Sequence, residues 1–393
     1  MASDKNFWPL VALKSLNWIP DSFLSTFMIS YIMKFYENAI IPVVVYNIFF
    51  SIFVYATFHF ACRFFKRTAI ASIYQAGVII FMIPLMTIIL MGSKTLDYIW
   101  VMGAVYGAAL GLTALGLNYM QTSLIKNQIK FSSYRTIMGS LVKVGFPALC
   151  GFLLGQYSFP QMAAVIFMVS LGLVLIAVRI REPKAPFTCP LFSLREFYAA
   201  YKKSKYRHAI DLCLLGEFFY GSNLVLNTVQ TMLIIYLFKT DLSLGLINSA
   251  LMFGLIFFRF LFGRFGTQKH FRPVLIVSLV LLAGCVTALI HLTEFNFLAF
   301  CLCLSLAIEL IKLAYEPVLY TLFRIIPSYE KEFLTVREIS INMGRIIMYA
   351  GLMGVAALPN IPVGLTYYAI FLVLTYMVAT IMALGVNRYV RVS

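Results

Sequence analysis

The sequence predicts an all-α integral membrane protein, with twelve transmembrane helices in two six-helix bundles as a 6+6 pseudo-repeat. Three observations predict it. First, the 393 residues are 62% hydrophobic and only 12% charged, with a mean hydropathy of +0.90; a soluble domain carries about twice that charge fraction. Second, apolar runs of roughly 20 residues, the length of a bilayer-crossing helix, recur along the whole chain. Third, the basic residues gather in alternate loops between those runs. The runs are continuous and not alternating, which excludes a closed barrel and leaves helices as the spanning elements.

The spans fall at roughly 12–36, 40–62, 68–92, 97–122, 135–156, 159–180, 208–237, 242–263, 272–292, 296–323, 335–358 and 363–387. Span 1 is interrupted by Lys14, Pro20 and Asp21, and with Asp4 and Lys5 ahead of it no secretory signal peptide is expected. Span 2 ends at His59 and the basic group Arg63, Lys66 and Arg67. Pro84 in span 3, Pro147 in span 5 and Pro317 in span 10 are positions for kinks. Span 4 carries Gly103, Gly107 and Gly111 at four-residue spacing, a small-residue stripe for close helix contact. Span 5 holds Lys143, and span 6 runs into Arg179. A polar segment from Arg179 to Arg207 with eight basic residues then separates two apolar blocks of nearly equal length. Span 7 begins with an interfacial Asp211 and carries Glu217; span 8 carries Arg259; span 10 carries Glu309, Lys312 and Glu316; span 11 carries Arg345. The expected domains are therefore an N-terminal six-helix bundle at 1–180, a basic linker at 181–207 and a C-terminal bundle at 208–393.

Of the 31 Lys and Arg residues, twenty-three fall on one side of this layout and three (Lys34, Lys94 and Lys239) on the other. Lys14, Lys143, Arg259, Lys312 and Arg345 lie inside spans. The asymmetry puts both termini and the linker in the cytoplasm of a multi-pass cell-membrane protein. It also accounts for the net charge of +16 without a nucleic-acid partner. Six of the seven cysteines lie in or beside apolar runs, where they act as small packing residues. The four histidines are scattered, no cluster has metal-ligand spacing, and no phosphate-binding glycine loop with lysine occurs. No cofactor, no metal and no catalytic residue is expected, and no ATP-driven pump.

The two halves repeat. A shift of 201 lays the segment from Asn47 over that from Asn248, pairing Arg63 with Arg264 and Phe64 with Phe265. A shift of 202 pairs Phe131 with Phe333, Arg135 with Arg337, Ile137 with Ile339 and Lys143 with Arg345. Parallel six-span repeats of this kind describe a transporter architecture.

With its twelve spans, 6+6 repeat and long linker the chain resembles the major facilitator superfamily over almost its whole length. The superfamily's loop motif is degenerate here: HFACRFFKRTA lacks the glycines and the acid, and FGRFGTQKHFRP keeps Gly266 but has Gly263 in place of an acid. VGFPALCG around Pro147 resembles the superfamily's antiporter motif, with Phe146 where a glycine is usual. GLNYMQTSLIKNQIKFSSYRTIMGSL and VREISINMGRI are similar to a little-characterised bacterial branch of the superfamily. The resemblance implies that spans 1, 4, 7 and 10 surround a central cavity.

Polar groups at membrane depth are the candidate functional residues, because retaining them is costly. Glu309, Lys312 and Glu316 share one helix face, as a substrate or proton site with its own counter-ion or as an ion-paired brace. Asp21 and Glu217 are candidate proton-coupling carboxylates, or wet residues near the ends of their spans. Lys143 and Arg345 suit an anionic head group, or snorkel toward the cytoplasm. His59 and Arg259 are a possible gate pair. The expected function is a monomeric secondary-active transporter working by alternating access, exporting an amphipathic or lipid-like compound with a coupling proton, in contact with membrane lipids. Uptake or exchange of a small organic anion is the first alternative; a non-transporting receptor or a membrane-bound enzyme is the alternative of another class.

Overall fold

The computed structural model describes residues 5–36, 38–64, 70–125, 128–180, 193–265, 271–325 and 330–389. Both degenerate loop motifs run into the undescribed segments, as do Lys66, Arg67, Arg181 and Lys184. The side chains of Cys62, Tyr119, Arg259, Glu316 and Pro317 are likewise outside the described residues.

A lipid-embedded backbone has no water to bond, so the apolar runs fold as helices that pair their own N–H and C=O groups. The first rod is built from α1 (Phe7–Leu16), α2 (Trp18–Ser22), a π-helical turn (Phe23–Phe27) and α3 (Met28–Phe35), joined end to end. Then come α4 (Ile40–Phe64), α5 (Ile70–Met91), α6 (Ile99–Leu124), α7 (Gln128–Leu154) and α8 (Phe159–Val178). The short α9 (Leu194–Lys203) lies in the linker. α10 (Arg207–Tyr220) and α11 (Ser222–Phe238) form one rod broken at Gly221, followed by α12 (Asp241–Phe265), α13 (Phe271–Ile290), α14 (Glu294–Ile325), α15 (Glu330–Met353) and α16 (Ile361–Tyr389).

Among the described residues, α9 apart, these helices make twelve rods. Among the same residues nine stretches are long and apolar enough to cross a membrane, and one of them, Ala71–Asn118, runs from α5 into α6. The first rod is divided into short pieces, and the described part of α12 gives the shorter apolar stretch Asp241–Ile256. The protein is a multi-pass, all-helical membrane protein.

The helices overrun several expected spans. Lys130, expected in a loop, and Arg135 and Arg337, expected at the edges of spans 5 and 11, lie inside α7 and α15. Hydropathy marks the lipid-crossing part of a helix, whereas backbone hydrogen bonding continues beyond it. The repeat is visible where helices start: α4 begins at Ile40 and α12 at Asp241, a shift of 201. α8 and α16 start 202 residues apart, at Phe159 and Ile361.

The chain divides into two compact units, Met1–Cys189 with Ile234–Met252, and Pro190–Leu233 with Phe253–Ser393. In the first, the glycine stripe does what its spacing implies. A Cβ on Gly103 or Gly107 would stand 2.2 Å from the carbonyl oxygens of Tyr46 and Phe50, so α6 lies directly on the α4 backbone. In the second, a Cβ on Gly344 would stand 1.9 Å from the Phe218 carbonyl oxygen, and one on Gly221 2.5 Å from that of Ile341. This crossing brings α10 onto α15. The described cysteines are free thiols, and Cys150, Cys213, Cys285 and Cys301 are buried as packing residues. Large apolar side chains such as Leu90, Val280 and Phe295 face outward, as lipid-facing positions do.

Candidate functional site

In the first unit the polar centre is built on the π-helical turn. A π turn displaces the hydrogen-bond register and often marks a functional position. Tyr46 on α4 donates to the Leu24 carbonyl at 3.0 Å. Tyr106 on α6 donates to Asp21 Oδ1 at 2.5 Å and lies 3.3 Å from the Asp21 carbonyl oxygen. Lys143 on α7 sits 5.9 Å above the Trp18 ring, and its charge acts on Asp21. The structure thus brings together Asp21 and Lys143, two residues singled out separately in the sequence. Aromatic rings wall this region. Phe159 stacks on Phe23 at 4.7 Å and on Tyr31 at 4.1 Å, and Phe146 lies edge-on to Trp18 at 6.2 Å.

At the far end of α3, Ser30 and Lys34 both donate to the Asp241 carboxylate at the start of α12. Both partners belong to the first unit. Lys34 counted only as a loop cation in the sequence, and Asp241 carried no signal there because its partner is 207 residues away.

In the second unit, Glu217 on α10 is 1% exposed and forms an ion pair with Arg337 on α15 at 3.3 Å. It is therefore buried and paired, not a wet residue at a span end. Arg337 also lies 3.5 Å from Glu338. Two turns further along α15, Arg345 donates to Asn342 Oδ1 at 3.1 Å, while its Nε is buried with no hydrogen-bond partner. Among the described residues no carboxylate forms an ion pair with Arg345, although the Glu338 charge acts on it and its own charge acts on Glu217. Around this cluster, Tyr315 on α14 donates to Cys213 Sγ at 3.1 Å, and the hydroxyls of Thr228 and Tyr349 are 2.8 Å apart.

Glu309 and Lys312 are half-buried on α14, and the third member of their expected face, Glu316, has a side chain outside the described residues. His59 is half-buried with its ring 5.9 Å from those of Tyr55 and Phe60. Its expected gate partner, Arg259, again has a side chain outside the described residues. Arg337 and Tyr106 escaped the sequence reading. The repeat did pair Arg337 with Arg135, but both counted only as cytoplasmic-side cations at the edges of spans 5 and 11. Chemically, the second unit offers a planar guanidinium fork suited to carboxylate or phosphate, and the first a carboxyl held by a phenol.

No family model matches the chain. It is 23% identical to the uncharacterized protein YqgE of Bacillus subtilis (strain 168) over 356 residues, 87% of this chain and 80% of that protein. Among solved structures, the nucleoside transporter NupG is similar at a TM-score of 0.69 and 16% identity, over 98% of this chain and 99% of that one. FucP, a major facilitator superfamily transporter in the outward conformation, is similar at a TM-score of 0.58 and 15% identity, over 96% and 97% of the two chains. The chain has the major facilitator superfamily fold. At such identities the likeness is one of fold, and a fold of this kind hosts many cargoes. On it, Asp21 falls on the first rod, Lys143 on the fifth, Glu217 on the seventh and Arg345 on the eleventh.

Proposed function

We propose that the protein is a secondary-active transporter that works by alternating access and exports an amphipathic organic anion in exchange for protons. The bundles at 1–180 and 208–393 are the moving parts, joined by the linker at 181–207, and the unit of function is the monomer. The observation that carries the reading is Arg345, a guanidinium with a buried, unbonded Nε and no carboxylate partner among the described residues. A cation kept at this depth calls for a negative charge, and an anionic cargo supplies it. Asp21, bonded to Tyr106, is the proposed proton carrier. An anion leaving and a proton entering both run down an inside-negative potential, worth about 2.3 kcal/mol per charge per 100 mV, which favours export.

The test is a ligand panel of anionic, neutral and cationic amphiphiles against the purified protein, read as thermal stabilisation. The reading expects stabilisation by anionic compounds in the wild type and not in Arg345→Gln. Stabilisation by cationic compounds alone, or an unchanged response in the variant, overturns it.

A further inference from the structure

We infer that the first unit holds a separate oxyanion subsite, formed by Lys14, Ser15 and Arg135 and taking a carboxylate or phosphate group. Lys14 on α1 donates to Gln121 Oε1 and lies 3.4 Å from Asn118 Oδ1, two carboxamides on α6. These oxygens orient the ammonium group without neutralising it. A second cation, Arg135 on α7, acts electrostatically on Lys14. Among the described residues, neither Lys14 nor Arg135 forms an ion pair. Beside them Ser15 Oγ is buried, with the residue 3% exposed, and has no hydrogen-bond partner. Gly139, one turn after Arg135 on the same face of α7, stands opposite it; a Cβ there would lie 4.0 Å from Ser15 Oγ. Two interacting cations, an unused hydroxyl and the absence of a side chain at Gly139 suit an oxyanion.

In the internal repeat Arg135 corresponds to Arg337, and Arg337 has Glu217 at 3.3 Å. Among the described residues the first half has no such acid beside Arg135. Residues 1–180 contain only four carboxylates, Asp4, Asp21, Glu37 and Asp97. Asp21 is engaged by Tyr106, Asp97 is exposed, and the other two lie outside the described residues. The same arginine position is thus neutralised by the chain in one half and left to a ligand in the other. The ligand chemistry is shared by a soluble organic or inorganic anion and by the phosphate of a lipid headgroup.

The experiment uses the full chain purified in a neutral detergent, with unfolding followed against inorganic phosphate and against chloride at matched ionic strength. Phosphate is expected to raise Tm saturably in the wild type. Arg135→Gln is expected to lower the apparent affinity roughly tenfold or more. Gln121→Glu places a carboxylate against Lys14, so it is expected to raise Tm without phosphate and to remove the phosphate response. That variant keeps the test open if Arg135→Gln does not fold. Arg345→Gln is expected to keep the response, which separates this subsite from the cargo reading. If phosphate has no effect in detergent, but phosphatidylglycerol in nanodiscs stabilises the wild type and not Arg135→Gln, the oxyanion is a lipid headgroup. The inference is overturned if neither anion distinguishes wild type from Arg135→Gln, if Gln121→Glu responds as the wild type does, or if Arg345→Gln alone removes the response.

Discussion

Glu217 and Arg337 form an ion pair at 3.3 Å, with the carboxylate side chain 1% exposed and the guanidinium side chain 22% exposed. Their helices can approach because Gly344 and Gly221 leave no side chain in the crossing of α10 with α15. Desolvating both charges is expensive, so the pair is not in itself a large source of stability; losing one member is the greater penalty.

Arg337→Ala therefore destabilises the second unit by about 3–5 kcal/mol, the cost of a stranded buried charge. Glu217→Gln combined with Arg337→Gln loses less than the two single changes added together. A double-mutant cycle on unfolding in detergent checks this. Strict additivity contradicts the pair.

The helix crossing itself is the next target. Gly344→Ala puts a methyl group into the Phe218 carbonyl and costs about 1–3 kcal/mol, whereas Gly284→Ala adds one where nothing lies within 4 Å and costs nothing measurable. Thermal unfolding of the two variants side by side distinguishes a contact at Gly344 from a general intolerance of alanine.

Asp241 accepts from Ser30 and Lys34, but the Lys34 side chain is 52% exposed. Asp241→Asn is accordingly expected to cost no more than about 1 kcal/mol. The gap to wild type closes as salt rises toward about 1 M, because exposed charge pairs are screened. A gap that persists in high salt means that the Ser30 bond, and not the ion pair, carries the contact.

Asp21 is bonded to Tyr106 at 2.5 Å and is the proposed proton carrier. Asp21→Asn should abolish proton-driven accumulation yet leave cargo exchange in the absence of a gradient. Counterflow measured beside gradient-driven flux separates these two activities. Loss of both places Asp21 in cargo binding instead of coupling.

The fold was largely legible in the sequence. Continuous apolar runs predicted the rods, and the 201-residue offset from Asn47 to Asn248 reappears at the first residues of α4 and α12. The Gly103, Gly107 and Gly111 stripe announced a contact because glycine spacing on a helix is a local property. The site was legible only in part. Asp21, Glu217, Lys143 and Arg345 stood out as polar residues within apolar runs. Their neighbours did not, since Arg337, Tyr106 and Asp241 meet their partners through tertiary packing, which one sequence does not encode locally. Hydropathy also left Arg135 and Arg337 at the edges of spans 5 and 11, because it sees lipid contact and not helix length. The π-helical turn at Phe23–Phe27 left no mark at all: its residues are as apolar as any other turn of the rod.

The most direct test of the account is flux in proteoliposomes under an imposed proton gradient, with anionic and cationic amphiphiles supplied to wild type and Arg345→Gln. The account predicts gradient-dependent movement of the anionic compound in the wild type and its loss, by roughly tenfold or more, in a variant that remains folded. Movement of the cationic compound only, or equal anion flux through both proteins, would contradict it.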